Sequence, residues 1–79
     1  MNKNRRKRID LLLELFEALQ DEAETIRDEE EESLGNMPES LYDTERYNAS
    51  EEALLALNDA LDALDSARDY LETAKGESA

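Results

Sequence analysis

Cysteine, histidine and tryptophan are all absent from these 79 residues. Without thiols there is no disulfide staple, no thiolate zinc site and no thiol redox chemistry, which suits a reducing compartment. Losing histidine and cysteine together removes the two commonest transition-metal ligands and the usual near-neutral proton shuttle. Proline occurs once and glycine twice, so little in the chain interrupts a helix. The longest apolar run is Leu11–Leu13. That is far short of a membrane span or the core of a signal peptide, so a cytoplasmic protein is expected.

What is abundant is negative charge. Nine basic and 22 acidic residues give a net charge of −13. Five of the nine positives (Lys3, Arg5, Arg6, Lys7 and Arg8) lie in the opening MNKNRRKR, which has no acid; residues 9–79 therefore carry 4 positives against 22 negatives, or −18. An acidic body repels phosphate backbones and anionic lipid, so direct nucleic-acid binding by the body and membrane association are not expected.

The length allows one small domain. Residues 1–8 read as a basic tail and residues 9–79 as a single helical hairpin, with helix 1 over about 5–33, a connector over 34–48 and helix 2 over about 49–75. In the first helix Ile9, Leu12, Phe16, Leu19, Ala23 and Ile26 recur at spacings of 3 and 4, the seam of a coiled coil. Gly35 and Asn36 supply a stop. In the second, Ala53, Leu57, Ala60, Leu64, Ala67, Leu71 and Ala74 repeat in the same way, and alternating large and small residues let a partner helix approach closely. Asn48 followed by Glu51 resembles a capping box, and Lys75 with Gly76 suits the end.

Two helices of matched length on a short connector imply an antiparallel pair, an all-α fold. The stretch LGNMPESLYDTERYNASEE, residues 34–52, holds the proline and two of the three tyrosines. Pro38 suits the first turn of a brief helix, and Leu34, Met37, Leu41, Tyr42 and Tyr47 form an apolar set able to plug the hairpin's end. The stretch therefore reads as a folded joint. One-sided seams are a thin core for a chain of this size, and Leu11, Leu13, Leu15, Leu54 and Leu61 offer a second apolar face. Self-association is predicted, most simply a homodimer forming a four-helix bundle.

The acidic residues raise site readings that mostly dissolve. Asp28–Glu32 is a run of carboxylates, the ligand type of calcium and magnesium. Five consecutive helical residues point in different directions, however, and read as a solvated, mutually repelling end of helix 1. Carboxylate-bridged di-iron bundles need Glu-x-x-His pairs that this chain cannot form. No glycine-rich phosphate loop is present, no base is placed beside a nucleophile, and two helices leave little room for an apolar pocket that would raise a carboxyl pKa. No enzyme activity, metal or cofactor is expected.

Asp62, Asp65, Asp69 and Glu72 differ in forming a ridge, at spacings of 3, 4 and 3. Successive charges lie ~5–6 Å apart, comparable with the roughly 7 Å between phosphates of one DNA strand. Such a ridge is either the wet face that every amphipathic helix needs or an imitation of nucleic acid offered to a basic protein. The surplus charge exceeds what solubility requires. The basic opening reads as a charge partner for the far end of helix 2, near Asp69, Glu72 and Glu77; no aromatics interleave it to stack on bases.

The words Asn36-Met37-Pro38-Glu39-Ser40-Leu41 and Glu45-Arg46-Tyr47, followed by an Ala/Leu helix with acids between, carry a resemblance. Over most of residues 25–75 the chain resembles small uncharacterised acidic helical proteins of Gram-positive bacteria and of their phages and mobile elements. The resemblance implies an intracellular helical hairpin with no catalytic residues to carry over, and a role in conflict between phage and host rather than in metabolism. Small acidic phage proteins include nucleic-acid mimics that block restriction or CRISPR nucleases, which this chain is similar to in charge and size.

The expected function is thus a non-enzymatic protein-binding module that occludes a basic groove through Asp62, Asp65, Asp69 and Glu72, extended by Asp59 and the Glu29–Glu32 run. The alternative is an assembly module pairing through Leu11, Leu15, Leu54 and Leu61. Salt separates the two, because charge mimicry is screened and apolar pairing is not.

Overall fold

The computed structural model describes residues 1–76. Two long helices, α1 (Lys3–Gly35) and α2 (Glu45–Lys75), are joined by a segment holding one 3-10 turn, Glu39–Leu41. They pack side by side into a rod 59 Å long and 15 Å across.

Both helices start earlier than the sequence suggests. Asn2 caps α1, its side-chain oxygen accepting from the Arg5 N–H at 2.8 Å, so most of the basic segment is helical rather than a tail. Thr44 caps α2, accepting from the Tyr47 N–H at 3.3 Å, with Glu45 at the dipole's positive end. Asn48, the expected cap, lies inside the helix. The cap lies four residues earlier than expected, and Tyr47 and Ser50, now inside the helix, are half-buried.

The joint is folded, as expected. Pro38 sits just ahead of the 3-10 turn, extended at φ −60° and ψ 146°, rather than inside its first turn. Its carbonyl accepts from the Leu41 N–H at 2.9 Å, and the Leu41 carbonyl accepts from the Thr44 hydroxyl at 2.7 Å. Tyr42 and Tyr47 stack obliquely with centroids 4.9 Å apart. Gly35 is not a left-handed cap: α1 runs through it, and among the described residues Gly76, at φ 74°, is the one glycine with positive φ.

Tyr47 gives the joint a pH response. Hydrogen bonding to Glu51, one turn on, with desolvation and the charge of Glu51, raises its phenol pKa above the ordinary value. A raised pKa means that the folded chain favours the neutral phenol. Its contribution to stability is therefore complete below the unfolded value of about 10 and is lost as pH rises through the folded one. Tyr47→Phe is expected to remove a late component from the tyrosine absorbance titration and to flatten the fall in helicity above about pH 10. An unchanged titration would contradict this.

The seam between the helices is the largest departure from the sequence reading. On α1 the half-buried positions are Arg6, Ile9, Leu13, Phe16, Gln20, Ala23, Arg27, Glu30 and Leu34. On α2 they include Tyr47, Ser50, Leu54, Leu57, Leu61, Leu64, Arg68, Leu71 and Lys75. The α1 set steps by 3 and 4 throughout, and so does the α2 set apart from Ala53 and Ala67, which are half-buried beside it; these are the a and d positions of a coiled coil. Ile9, Phe16, Ala23, Leu57, Leu64 and Leu71 fall where expected. Leu12, Leu19 and Ile26 do not: they are 43%, 55% and 45% exposed. Of the alanines expected in the seam, Ala53 and Ala67 are half-buried at its edge, while Ala60 and Ala74 are exposed. Leu13, Leu54 and Leu61, expected on a second apolar face, lie in the seam instead.

Polar contacts across the seam mark its alignment. The Arg68 guanidinium donates to the Gln20 amide oxygen at 3.3 Å, and Lys75 Nζ meets Asp10 Oδ1 at 2.7 Å. Because Lys75 ends α2, the residues of α1 ahead of Asp10 run on about two turns past it. None of the described residues is fully buried. Two helices cover each other on one side alone.

Candidate protein-interaction faces

With the seam positions known, the remaining columns can be placed. In an antiparallel pair the e positions of both helices flank one side of the seam and the g positions flank the other. On the e side α1 presents Asp10, Glu17, Glu24 and Glu31, and α2 presents Glu51, Asn58, Asp65 and Glu72, all exposed. Behind them the b positions add Glu14, Asp21 and Asp28 from α1 and Asp62 and Asp69 from α2, also exposed. Lys7 and Leu55 are the exceptions on this side.

The hairpin therefore joins two acidic strips into one face. The ridge Asp62, Asp65, Asp69 and Glu72 is half of it; the other half comes from α1 and was missed in the sequence. Its signal was the acid repeat Asp10, Glu14, Glu17, Asp21, Glu24, Asp28, Glu31, at spacings of 4 and 3. Cations intrude little. Lys75 reaches Asp10, Arg27 lies 3.0 Å from Asp28, and Arg68 Nε lies 3.8 Å from Glu72, a loose contact at a half-exposed site. Asp59 is exposed on the outer side of α2, away from both strips. Within the Glu29–Glu32 run, Glu30 is half-buried on the seam and the other three are exposed.

The g side is different in kind. Here α1 places Leu12, Leu19 and Ile26, with Leu15 behind them at 61% exposure. Alongside, α2 places Ala53, Ala60, Ala67 and Ala74, with Ala56, Ala63 and Tyr70 behind. Acids are limited to Glu22 and Glu29. Exposure climbs from half-buried seam residues to 43–55% at the g leucines and isoleucine and 61% at Leu15, as expected for side chains rotating away from α2. Of the five residues expected to drive self-association, Leu15 lies on this face, Leu11 is exposed just beyond it, and the other three are in the seam.

At the overhanging end of α1 the apolar face closes in an open notch of about 220 Å³, lined by Met1, Arg5, Arg8, Ile9 and Leu12. Among the described residues, none of the ion pairs uses Lys3, Arg5, Arg6, Lys7 or Arg8. Pairing of this segment with Asp69 or Glu72 is therefore not seen; Glu77 lies outside the described residues. Arg6 Nε is covered and has no hydrogen-bond partner.

No group of three or more metal-ligating side chains converges among the described residues, and no helix among them is long and apolar enough to cross a membrane. Compared with known proteins, the chain matches no family model, no curated protein and no solved structure.

Proposed function

We propose that the chain is a non-enzymatic binding module that works as a homodimer and lays its acidic face in a basic groove of a protein that ordinarily holds DNA or RNA. One observation carries this reading: carboxylates from two helices share a single face with few neutralising partners, while the opposite face is leucine and alanine. The net charge of −13 exceeds what solubility requires. Two parallel strips of charge along a rod also match the outline of a duplex better than one ridge does. Such a surface speeds encounter with a basic partner and loses affinity steeply as salt rises. An anti-defence role in phage or mobile-element conflict is the setting that the NMPESL and ERY words suggest for it.

The test is affinity capture from lysate at about 0.05 and 0.5 M salt, where the screening length falls from ~14 to ~4 Å. Capture at low salt, loss at high salt, and displacement of the partner's nucleic acid are expected. The combined change Asp62→Asn, Asp65→Asn, Asp69→Asn and Glu72→Gln removes half of the face and should weaken capture strongly while leaving helicity intact, since all four are exposed. Equal capture by that variant would end the mimic reading.

The second reading, an assembly module, is favoured by the exposed leucines of the g side. Its business end would be Leu12, Leu15, Leu19 and Ile26 rather than the seam residues Leu54 and Leu61. Capture that survives high salt would decide for it.

A further inference from the structure

The apolar g side needs an occupant, and the ends of α1 say which. This helix carries its cations at one end, Lys3 to Arg8, and an acidic run at the other, Asp28 to Glu32. On the uncovered side these ends present Arg5 and Arg8 against Glu29, with Glu32 at the edge, all exposed and none ion-paired among the described residues. A helix with unlike, unpaired ends is complementary to its own reverse.

We propose that a second copy of the chain packs on this face antiparallel, about a two-fold axis near Leu19, so that Arg5 and Arg8 of each copy meet Glu32 and Glu29 of the other. About that axis Leu12 lies opposite Ile26 and Leu19 opposite itself, while Leu15 falls opposite Ala23, beside Glu22; the g-column apolar residues coincide when the charges do. The notch then receives its complement: an apolar floor of Ile9 and Leu12 with an arginine rim takes Ile26 and Glu29 of the second copy. An α1 about 50 Å long, on a rod 15 Å wide, offers on the order of 700–800 Å², close to the ~800 Å² each partner contributes to a standard interface. The acidic faces stay outward, on the two opposite sides of the resulting four-helix bundle.

One competing arrangement turns the second copy about the long axis of the rod. That would set leucines over alanines, a good steric match, but would bring basic end beside basic end and acidic run beside acidic run. The charges choose the antiparallel form. This inference deepens the self-association proposed above and is independent of what the acidic face binds.

The test uses the full chain with Asn36→Cys, an exposed position at the end of α1 and the sole thiol for a spin label. Light scattering should give the mass of a dimer. The distance between labels should be about 50 Å, two spans of 17 residues at 1.5 Å each. Reversing Arg5 and Arg8 to Glu should weaken the dimer at least tenfold, and adding Glu29→Lys and Glu32→Lys to that variant should restore it. A dimer with labels within about 30 Å, the scale of a few helix diameters, would overturn the antiparallel form while leaving self-association standing. A monomer at every concentration would overturn both, without touching the acidic-face reading.

Discussion

A chain carrying Phe16→Ala is expected to lose most of its cooperative folding, whereas Leu19→Ala, three residues on, should barely disturb an isolated hairpin. Phe16 is half-buried against α2 and Leu19 is 55% exposed. Removing a core phenylalanine costs ~3–5 kcal/mol; with one side covered, about half of that applies. Small single-core domains hold a total of ~3–5 kcal/mol, so a loss of about 2 kcal/mol consumes much of it. At low protein concentration Leu19→Ala should cost under about 0.5 kcal/mol, the usual range for exposed positions. Urea unfolding followed by circular dichroism at two concentrations separates the roles. The Phe16 effect should not depend on concentration, while the proposed dimer requires the Leu19 effect to grow with it. Equal costs for both substitutions in the dilute monomer would mean that Phe16 and Leu19 face α2 equally, contrary to this seam.

Salt should stabilise this protein strongly. Along α1 the acids from Asp10 to Glu31 make six successive steps of three or four residues. Each like-charge neighbour of that kind costs ~0.2–0.5 kcal/mol, so the ladder stores on the order of 1–3 kcal/mol of repulsion. The hairpin sets Glu51, Asp65 and Glu72 beside it and adds more. Against this stand the Lys75–Asp10, Arg27–Asp28 and Arg68–Glu72 contacts, all at partly exposed sites where a pair contributes about 0–1 kcal/mol. Raising salt from about 0.01 to 1 M shortens the screening length from ~30 to ~3 Å and removes most of both terms. The repulsion is larger, and a gain of about 1–2 kcal/mol should raise Tm by about 5–15 °C. A Tm that falls with salt would mean that attractive pairs, not the acidic face, dominate the electrostatics.

How far these features could be read in advance differs between the helices. In α2, Leu57, Leu64 and Leu71 identify the inner side, and Leu54 and Leu61 continue it at the same spacing. These larger side chains bury more apolar area than the alanines beside them, of which Ala53 and Ala67 are half-buried and Ala60 and Ala74 exposed. The first helix is another matter. Its apolar arc runs from Leu13 through Leu12 and Leu19 to Leu15, wider than one partner helix can cover, so two seams fit it equally well. The adopted one includes Gln20 and Arg27, which no apolar pattern would select. Gln20 finds a partner in Arg68, and Arg27 lies alongside Asp28, whose hydrogen bond raises its pKa.

The acidic face follows the same logic. Each strip is visible as a 3-and-4 repeat of carboxylates, but whether the strips of α1 and α2 meet or lie on opposite sides depends on how α1 is turned about its axis. Had Leu12, Leu19 and Ile26 formed the seam, the α1 strip would have lain further from α2, and the uncovered apolar residues of α1 would have been Leu11, Leu13 and Leu15.

From composition and periodicity alone came two helices of similar length, a folded joint and a body of negative charge, because each depends on residues near one another in the chain. The rotation of α1 is what the packed pair decided, and with it the division into an acidic side and an apolar one. That choice rests on the fit between particular side chains on two helices some fifty residues apart, such as Gln20 with Arg68, and the spacing of residues along either helix does not contain it.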